Sequence, residues 1–215
     1  MMNLSNVMKI LLGSASLTLP IMAFAESNVQ TGAATVTPGA TAHVDFSIVI
    51  PQVLYLRVGT GSTYTTGTYT TNATTDLVTF TLAAGTSGNG VAVPGTGGDL
   101  NNGVETAAVV SNGGNVTLTA TAAAAGLSDG NGDFIPFSQI TTAATALTGT
   151  YTLLPAPILT NGTSTSVLLT ASAAKVVQAD AKWTFGYANT TAYASGTYGG
   201  VGVNNSLVTY TATMP

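Results

Sequence analysis

The chain contains no cysteine. Disulfide bonds and thiolate metal sites are therefore excluded, and the fold must be stabilised by side-chain packing and by hydrogen bonds between strands. Charge is also scarce, because only 6% of residues are charged, with 4 Lys and Arg against 8 Asp and Glu. An acidic chain without a basic patch is a poor partner for nucleic acids and for anionic membranes.

The N-terminus has the pattern of a secretory signal peptide. Lys9 is followed by a weakly polar to apolar run over residues 10–22 and by the small-residue site Ala23-Phe24-Ala25. This pattern predicts cleavage after Ala25, and the run is shorter than the roughly 20 residues that span a bilayer. We therefore predict that residues 1–25 are removed and that the protein is exported to the periplasm, the cell surface or the medium, with no later transmembrane segment.

Alternation of apolar and polar residues dominates the rest of the chain and predicts strands rather than helices. The clearest run is Val177–Tyr187, which contains the only tryptophan. We predict this run as the central strand of the core, with Trp183 packed against Val208 and Tyr210. Roughly eight to ten short strands separated by turn residues predict an all-β fold, a single antiparallel β-sandwich with Ig-like, Greek-key order.

Turn residues predict which strands pair as hairpins. Residues 104–110 and 116–122 flank an Asn112-Gly113 step, and this dipeptide is a strong hairpin signal. Residues 147–153 and 163–170 are predicted as a second hairpin, across a loop that contains two prolines and an Asn-Gly step.

The N-terminal part of the mature chain divides into an arm and the start of the domain. Residues 26–41 are small, polar and interrupted by proline, and we predict an extended arm with a short strand near residues 32–37. The predicted domain covers residues 42–215. It begins with a strand over residues 44–50, and Pro51 then separates this strand from a second run at residues 53–58.

No catalytic constellation is present. His43 is the only histidine, no Gly-x-Ser-x-Gly elbow accompanies it, and we interpret it as a structural residue at the start of a strand. The acids are few and stand mostly in loops, so facing carboxylates for glycoside hydrolysis are not indicated. We predict that the protein is not an enzyme and needs no cofactor, calcium apart.

Two stretches have the composition of binding sites. Asp129, Asn131 and Asp133 place oxygen ligands at alternate positions of a glycine-rich loop, as in calcium loops, but a tight turn before a strand explains the same residues. Both interpretations stay open. Tyr-Thr repeats around Tyr64 and Tyr69 fit either an aromatic platform for a glycan or partner, or an exposed hairpin.

The C-terminal region resembles the end of Gram-negative pilin-type subunits, particularly the archaic chaperone-usher (spore-coat-U-like) group. The resemblance rests on Gly196-Thr197-Tyr198, on the terminal alternating strand, and on Gly202, which stands where many pilins carry a glycine near the end. Met214 replaces the expected aromatic residue, and the cysteines common in such subunits are absent.

The resemblance implies that an incomplete sandwich is completed by the N-terminal arm of the next subunit, which adds a strand. The side chains that would fill the groove are Val29, Ala34 and Val36. We therefore expect a secreted, structural or adhesive cell-surface protein of a Gram-negative bacterium, a pilin-like subunit that assembles with copies of itself or with other surface subunits. The alternative is a secreted module that binds a glycan or calcium and does not polymerise.

Overall fold

The structure, a computed structural model, describes residues 27–32, 39–59 and 67–215. Within these ranges the fold is all-β, and the helical structure is limited to one short 3-10 turn at Phe137–Gln139. The prediction of an all-β fold is confirmed. None of the described helical residues forms a helix long and apolar enough to cross a bilayer. The predicted signal peptide, residues 1–25, lies outside the described residues.

Thirteen strands are present in the described residues. In chain order they are β1 (Leu54–Val58), β2 (Val78–Thr79), β3 (Val93–Pro94), β4 (Thr96–Gly97), β5 (Val104–Ser111), β6 (Val116–Thr121), β7 (Leu127–Ser128), β8 (Phe134–Ile135), β9 (Ile140–Thr145), β10 (Thr152–Leu153), β11 (Val167–Leu169), β12 (Val177–Tyr187) and β13 (Thr209–Thr213).

The larger sheet is organised around β12, the longest strand at 11 residues. It pairs antiparallel with β5, β9 and β3 and parallel with β10, and β1 joins the sheet at the far side of β5. The prediction that Val177–Tyr187 is a central strand is confirmed. Its odd-numbered residues are buried and most of its even-numbered ones are exposed, as the two-residue period of a strand requires.

A smaller antiparallel sheet has the order β11-β6-β13, and two further pairs, β2 with β4 and β7 with β8, stand apart. The larger and the smaller sheet contribute to one hydrophobic core. Its buried members are Ala107, Val109, Val116, Leu118, Ala120, Phe137, Leu154, Leu159, Leu169, Val177, Ala179, Ala181, Trp183 and Phe185.

The first predicted hairpin is wrong. β5 pairs with β1 and β12, whereas β6 pairs with β11 and β13, so the intervening turn carries the chain from one sheet to the other. The side chain of Asn112 explains this: its Oδ1 accepts the Val53 N–H at 2.7 Å and its Nδ2 donates to the Pro51 oxygen at 2.8 Å. The asparagine therefore holds the chain before β1 instead of closing a hairpin.

The second predicted hairpin is also wrong, because β10 pairs in parallel with β12 and β11 pairs with β6. After β10 the chain passes over the tryptophan instead of turning back. The Trp183 Nε1 donates to the Leu154 oxygen at 3.0 Å, and Leu154 is fully buried. The need to cover the indole and satisfy its N–H accounts for this route.

The chain divides between Ile50 and Pro51 into two units. In the first unit the described residues are 27–32 and 39–50, all of them exposed and none of them in a strand. The strand predicted over residues 44–50 is therefore not formed, and most of the strand predicted near residues 32–37 lies outside the described residues. The second unit, Pro51–Pro215, contains every strand named above.

Candidate functional site

Residues 44–50, here named the apolar segment, expose large side chains. Phe46 is 89% exposed and Ile48 is 85% exposed, and Val44 and Ile50 share their alternating positions. Asp45, Ser47 and Val49 occupy the positions between. The segment has the two-residue pattern of a strand that buries one face, yet this face meets water.

Exposure on this scale is unusual for a soluble chain. Burying a Val, Ile or Phe side chain gains about 1.5–3 kcal/mol, and four in a row on one face amount to a sizeable unused driving force. A contiguous exposed apolar face marks an interaction surface, and an unpaired strand also presents backbone N–H and C=O groups to a neighbour. The apolar segment is therefore a candidate for pairing with another sheet.

Two edge strands of the second unit, β1 and β13, lie near each other. Among the described residues β1 pairs only with β5, and β13 pairs only with β6. We name the line between β1 and β13 the seam. Its core-facing side chains are only half-buried, in contrast to the fully buried residues on β5 and β6. The seam residues are Leu54, Leu56 and Val58 of β1 with Tyr210, Ala212 and Met214 beside or within β13.

One end of the seam is closed by the C-terminus. The Ser111 hydroxyl donates to the Met214 sulfur at 3.3 Å, and the Gln52 amide approaches the same sulfur at 3.7 Å. These contacts join the start of β1 to the end of β13. The seam is thus bounded at this end and half-covered along its length.

An acidic cluster lies beyond β1, around Gly59. Asp76, Asp99 and Glu105 bring carboxylate oxygens within 4.8 Å of one another. Glu105 Oε2 accepts the Asp99 N–H at 3.1 Å, and the Arg57 guanidinium lies 3.4 Å from Asp99 Oδ2. Gly59 has a positive φ of 64°, which favours glycine, and a Cβ there would come within 2.7 Å of Glu105 Oε2.

Burial governs the chemistry of this cluster. Desolvation raises the pKa of Glu105 from its ordinary 4.5 to about 8, against the lowering effect of the Asp99 N–H, and the charges of Asp76 and Asp99 add to the rise. Glu105 therefore holds a proton at neutral pH. The remaining carboxylates have calcium-type oxygens, but Arg57 already supplies a positive charge to Asp99.

The residues predicted as calcium ligands form one tight loop. Asp129 Oδ1 accepts the Asn131 N–H at 2.8 Å and the Asp133 N–H at 3.0 Å. These backbone bonds, chiefly the one from Asn131, lower the pKa of Asp129. The carboxylate is thus used by the turn itself, and calcium binding at this loop stays a prediction.

The predicted donor residues are only partly described. Val29 is 85% exposed, and the neighbouring Gln30 side chain accepts the Gly39 N–H at 3.2 Å. Ala34 and Val36 lie outside the described residues. His43 is exposed just before the apolar segment.

We compared the chain with protein-family models, with curated proteins and with solved structures. None of them matches. The likeness of the C-terminal region to pilin-type subunits consequently stays a resemblance, and the proposal below depends on the geometry of the chain itself.

Two features escaped prediction from the sequence. Glu105 stands two residues before Ala107 and four before Val109, so the strand period already directs an acid toward the core. That signal was available in the sequence. The sequence contains no such signal for the seam, because the seam depends on which strands lie at the edges of two different sheets.

Proposed function

We propose that this protein is a secreted β-sandwich subunit of the bacterial cell surface that assembles with copies of itself by β-strand addition. The larger and smaller sheets are the two layers of the sandwich. One observation carries the proposal: the chain exposes an alternating apolar segment and, in its folded unit, leaves the seam between two edge strands half-covered. The apolar segment lacks a sheet to pair with, and the seam lacks a strand that covers it.

The dimensions are compatible with an inserted strand. Seven residues in extended conformation span about 23 Å, more than the length of either edge strand. Pairing with β1 or β13 would add ladder hydrogen bonds and would place every second side chain against the half-buried seam residues. The gross gain from burying four apolar side chains is about 6–12 kcal/mol, before the cost of ordering the segment.

The apolar segment is a better donor than the earlier part of the arm. Val29, Ala34 and Val36 are small, and they do not keep one regular spacing. The apolar segment places a large apolar residue at every second position from Val44 to Ile50, and Phe46 alone offers far more apolar area than Ala34. We therefore assign the donor role to residues 44–50.

Composition supports a surface location. The signal-peptide pattern directs the chain out of the cytoplasm, and the absence of cysteine removes any dependence on oxidation. A surface covered by Thr, Ser, Asn and Gly with few charges offers little electrostatic repulsion between copies. Such a chain suits a packed assembly better than a concentrated solution of monomers.

The proposal is tested by adding one charge to either face of the apolar segment. Ile48→Asp places a carboxylate on the face that should enter the seam, whereas Ser47→Asp places the same charge on the opposite face. The mature wild type and the Ser47→Asp variant should form oligomers, and Ile48→Asp should remain monomeric, by size-exclusion chromatography with light scattering.

Filling the acceptor provides the complementary test. Ala212→Leu adds volume inside the seam without leaving a hole, and Thr211→Leu places the same side chain on the outward face of β13. Only Ala212→Leu should block assembly. Monomeric wild-type protein at every concentration, or equal behaviour of the two members of each pair, would remove the support for strand addition.

A further inference from the structure

The outer face of the larger sheet carries a row of polar aromatic side chains. Tyr55 on β1 is in register with Val110 on β5, which is in register with Gln178 on β12. Tyr151 directly precedes β10, the next strand in the sheet. Since neighbouring strands lie about 4.8 Å apart, the row from Tyr55 to Tyr151 extends about 14 Å across the sheet.

A third tyrosine joins this row. The Tyr69 ring lies 5.1 Å from the Tyr55 ring between centroids, tilted by 46°, and Tyr69 is 45% exposed. At the other end the Gln178 amide donates to the Tyr151 hydroxyl at 3.4 Å. We name Tyr55, Tyr69, Tyr151 and Gln178 the tyrosine row.

A buried carboxylate lies under one end of the row. Asp180 follows Gln178 on the same face of β12 and is 1% exposed. Its Oδ2 accepts the Thr148 hydroxyl at 2.6 Å, but its Oδ1 has no hydrogen-bond partner within the described part of the chain. A buried acceptor in this state is costly. The bond from Thr148, whose hydroxyl also accepts the Thr150 N–H at 3.2 Å, ties the turn that carries Tyr151 to β12.

The chemistry of these groups matches one class of ligand. Burial, then Tyr69 and Asp180, raise the pKa of Tyr151, so its hydroxyl keeps its proton at neutral pH. The row combines flat rings with hydroxyl and amide groups, and its rings carry no charge. Carbohydrates present apolar C–H faces for rings and hydroxyls for the polar groups.

We propose that the tyrosine row binds a neutral polysaccharide. A peptide is a poorer fit, because the row crosses the middle of a sheet where the strand backbones are already paired, and peptides added as strands need a free edge. The low charge of the chain agrees with an uncharged ligand. Tyr55 lies on the face of β1 opposite to the seam side chains, and binding at the row does not require self-assembly.

Affinity electrophoresis of the folded protein in gels containing hydroxyethylcellulose, mannan or galactan tests the site, with alginate as the anionic comparison. The monomeric Ile48→Asp background keeps assembly from affecting migration. Tyr69→Ala and Gln178→Ala remove exposed groups of the row, and Thr211→Ala is an exposed control on the other sheet.

The expected result is retardation in at least one neutral gel, unchanged in Thr211→Ala and weakened at least tenfold in Tyr69→Ala and Gln178→Ala. Migration unaffected by every neutral polysaccharide would overturn the proposal. Retardation by alginate alone, or equal retardation of Tyr69→Ala and the parent, would overturn it as well. Thermal melting of each variant shows that the fold is retained.

Discussion

The rings of Trp183 and Tyr210 lie 5.3 Å apart between centroids and are tilted by 48°. Trp183 belongs to β12 of the larger sheet and Tyr210 to β13 of the smaller one, so this pair joins the two sheets. The sequence predicted the contact, although for a different reason. The two strands follow each other along the chain but face each other across the core instead of pairing in one sheet.

Replacing Trp183 with alanine should be severely destabilising. The side chain is fully buried, and the change also leaves the Leu154 oxygen without its donor. We expect a loss of about 3–5 kcal/mol in the free energy of unfolding, measured by urea denaturation with circular dichroism. Thr184→Ala, on the exposed face of the same strand, should change it by less than about 0.5 kcal/mol. Similar losses in the two variants would contradict the placement of β12.

Glu105 should make stability depend on pH. Its pKa is about 8 in the folded protein against an ordinary value of 4.5, so the folded state binds the proton more tightly. The associated stability is complete below about pH 4.5 and is lost as pH rises toward 8, with a slope of at most about 1.4 kcal/mol per pH unit. Urea unfolding at several pH values in this window measures the slope.

Glu105→Gln keeps the size of the side chain and removes its titration. The variant should lose most of the slope between pH 5 and 8. It should also be more stable than the wild type at pH 8, where the native carboxyl ionises beside Asp76 and Asp99. An identical pH dependence in the two proteins would show that Glu105 is not the titrating group.

The buried side chain of Asn189 should contribute strongly to the stability of the fold. Its side chain is 1% exposed, accepts the Gly88 N–H at 2.7 Å and donates to the Thr86 oxygen at 2.9 Å. Asn189→Ala should cost about 1–3 kcal/mol for each buried group left unpaired. Asn205 has a similar positive φ, 61° against 53°, but is exposed. Asn205→Ala therefore controls for backbone strain, and equal thermal shifts in both variants would contradict the bridging role.

The two-residue period of a strand predicts which face of the strand is buried, but it does not predict which strands pair. The bounds of β12 and the burial of Trp183 follow from alternation within one run, because burial of one face is a local property of the strand. The partners of β5 and β6 do not follow from alternation, because an Asn-Gly step makes a turn but does not decide whether the flanking strands enter one sheet or two. Asn112 accepts a hydrogen bond from Val53, which is 59 residues away in sequence, and no local pattern encodes this contact.

The same distinction explains the apolar segment. The alternation at residues 44–50 predicts a strand with one apolar face, but the segment forms no strand and has no pairing partner within the described residues. Neither the sequence nor a single subunit shows the pairing partner, because on our account the partner belongs to another copy. The seam likewise becomes visible only once β1 and β13 are known to be edges.

Covalent trapping between two different variants tests the central claim most directly, and the natural absence of cysteine makes it clean. One preparation carries a single cysteine on the donor, Phe46→Cys or Ile48→Cys, with Ser47→Cys as the control on the opposite face. The second preparation carries Ala212→Cys in the seam. After mixing under mild oxidation, the account predicts a disulfide-linked heterodimer from Phe46→Cys or Ile48→Cys and far less from Ser47→Cys. No heterodimer from either donor variant, or equal amounts from all three, would contradict insertion of the apolar segment into the seam.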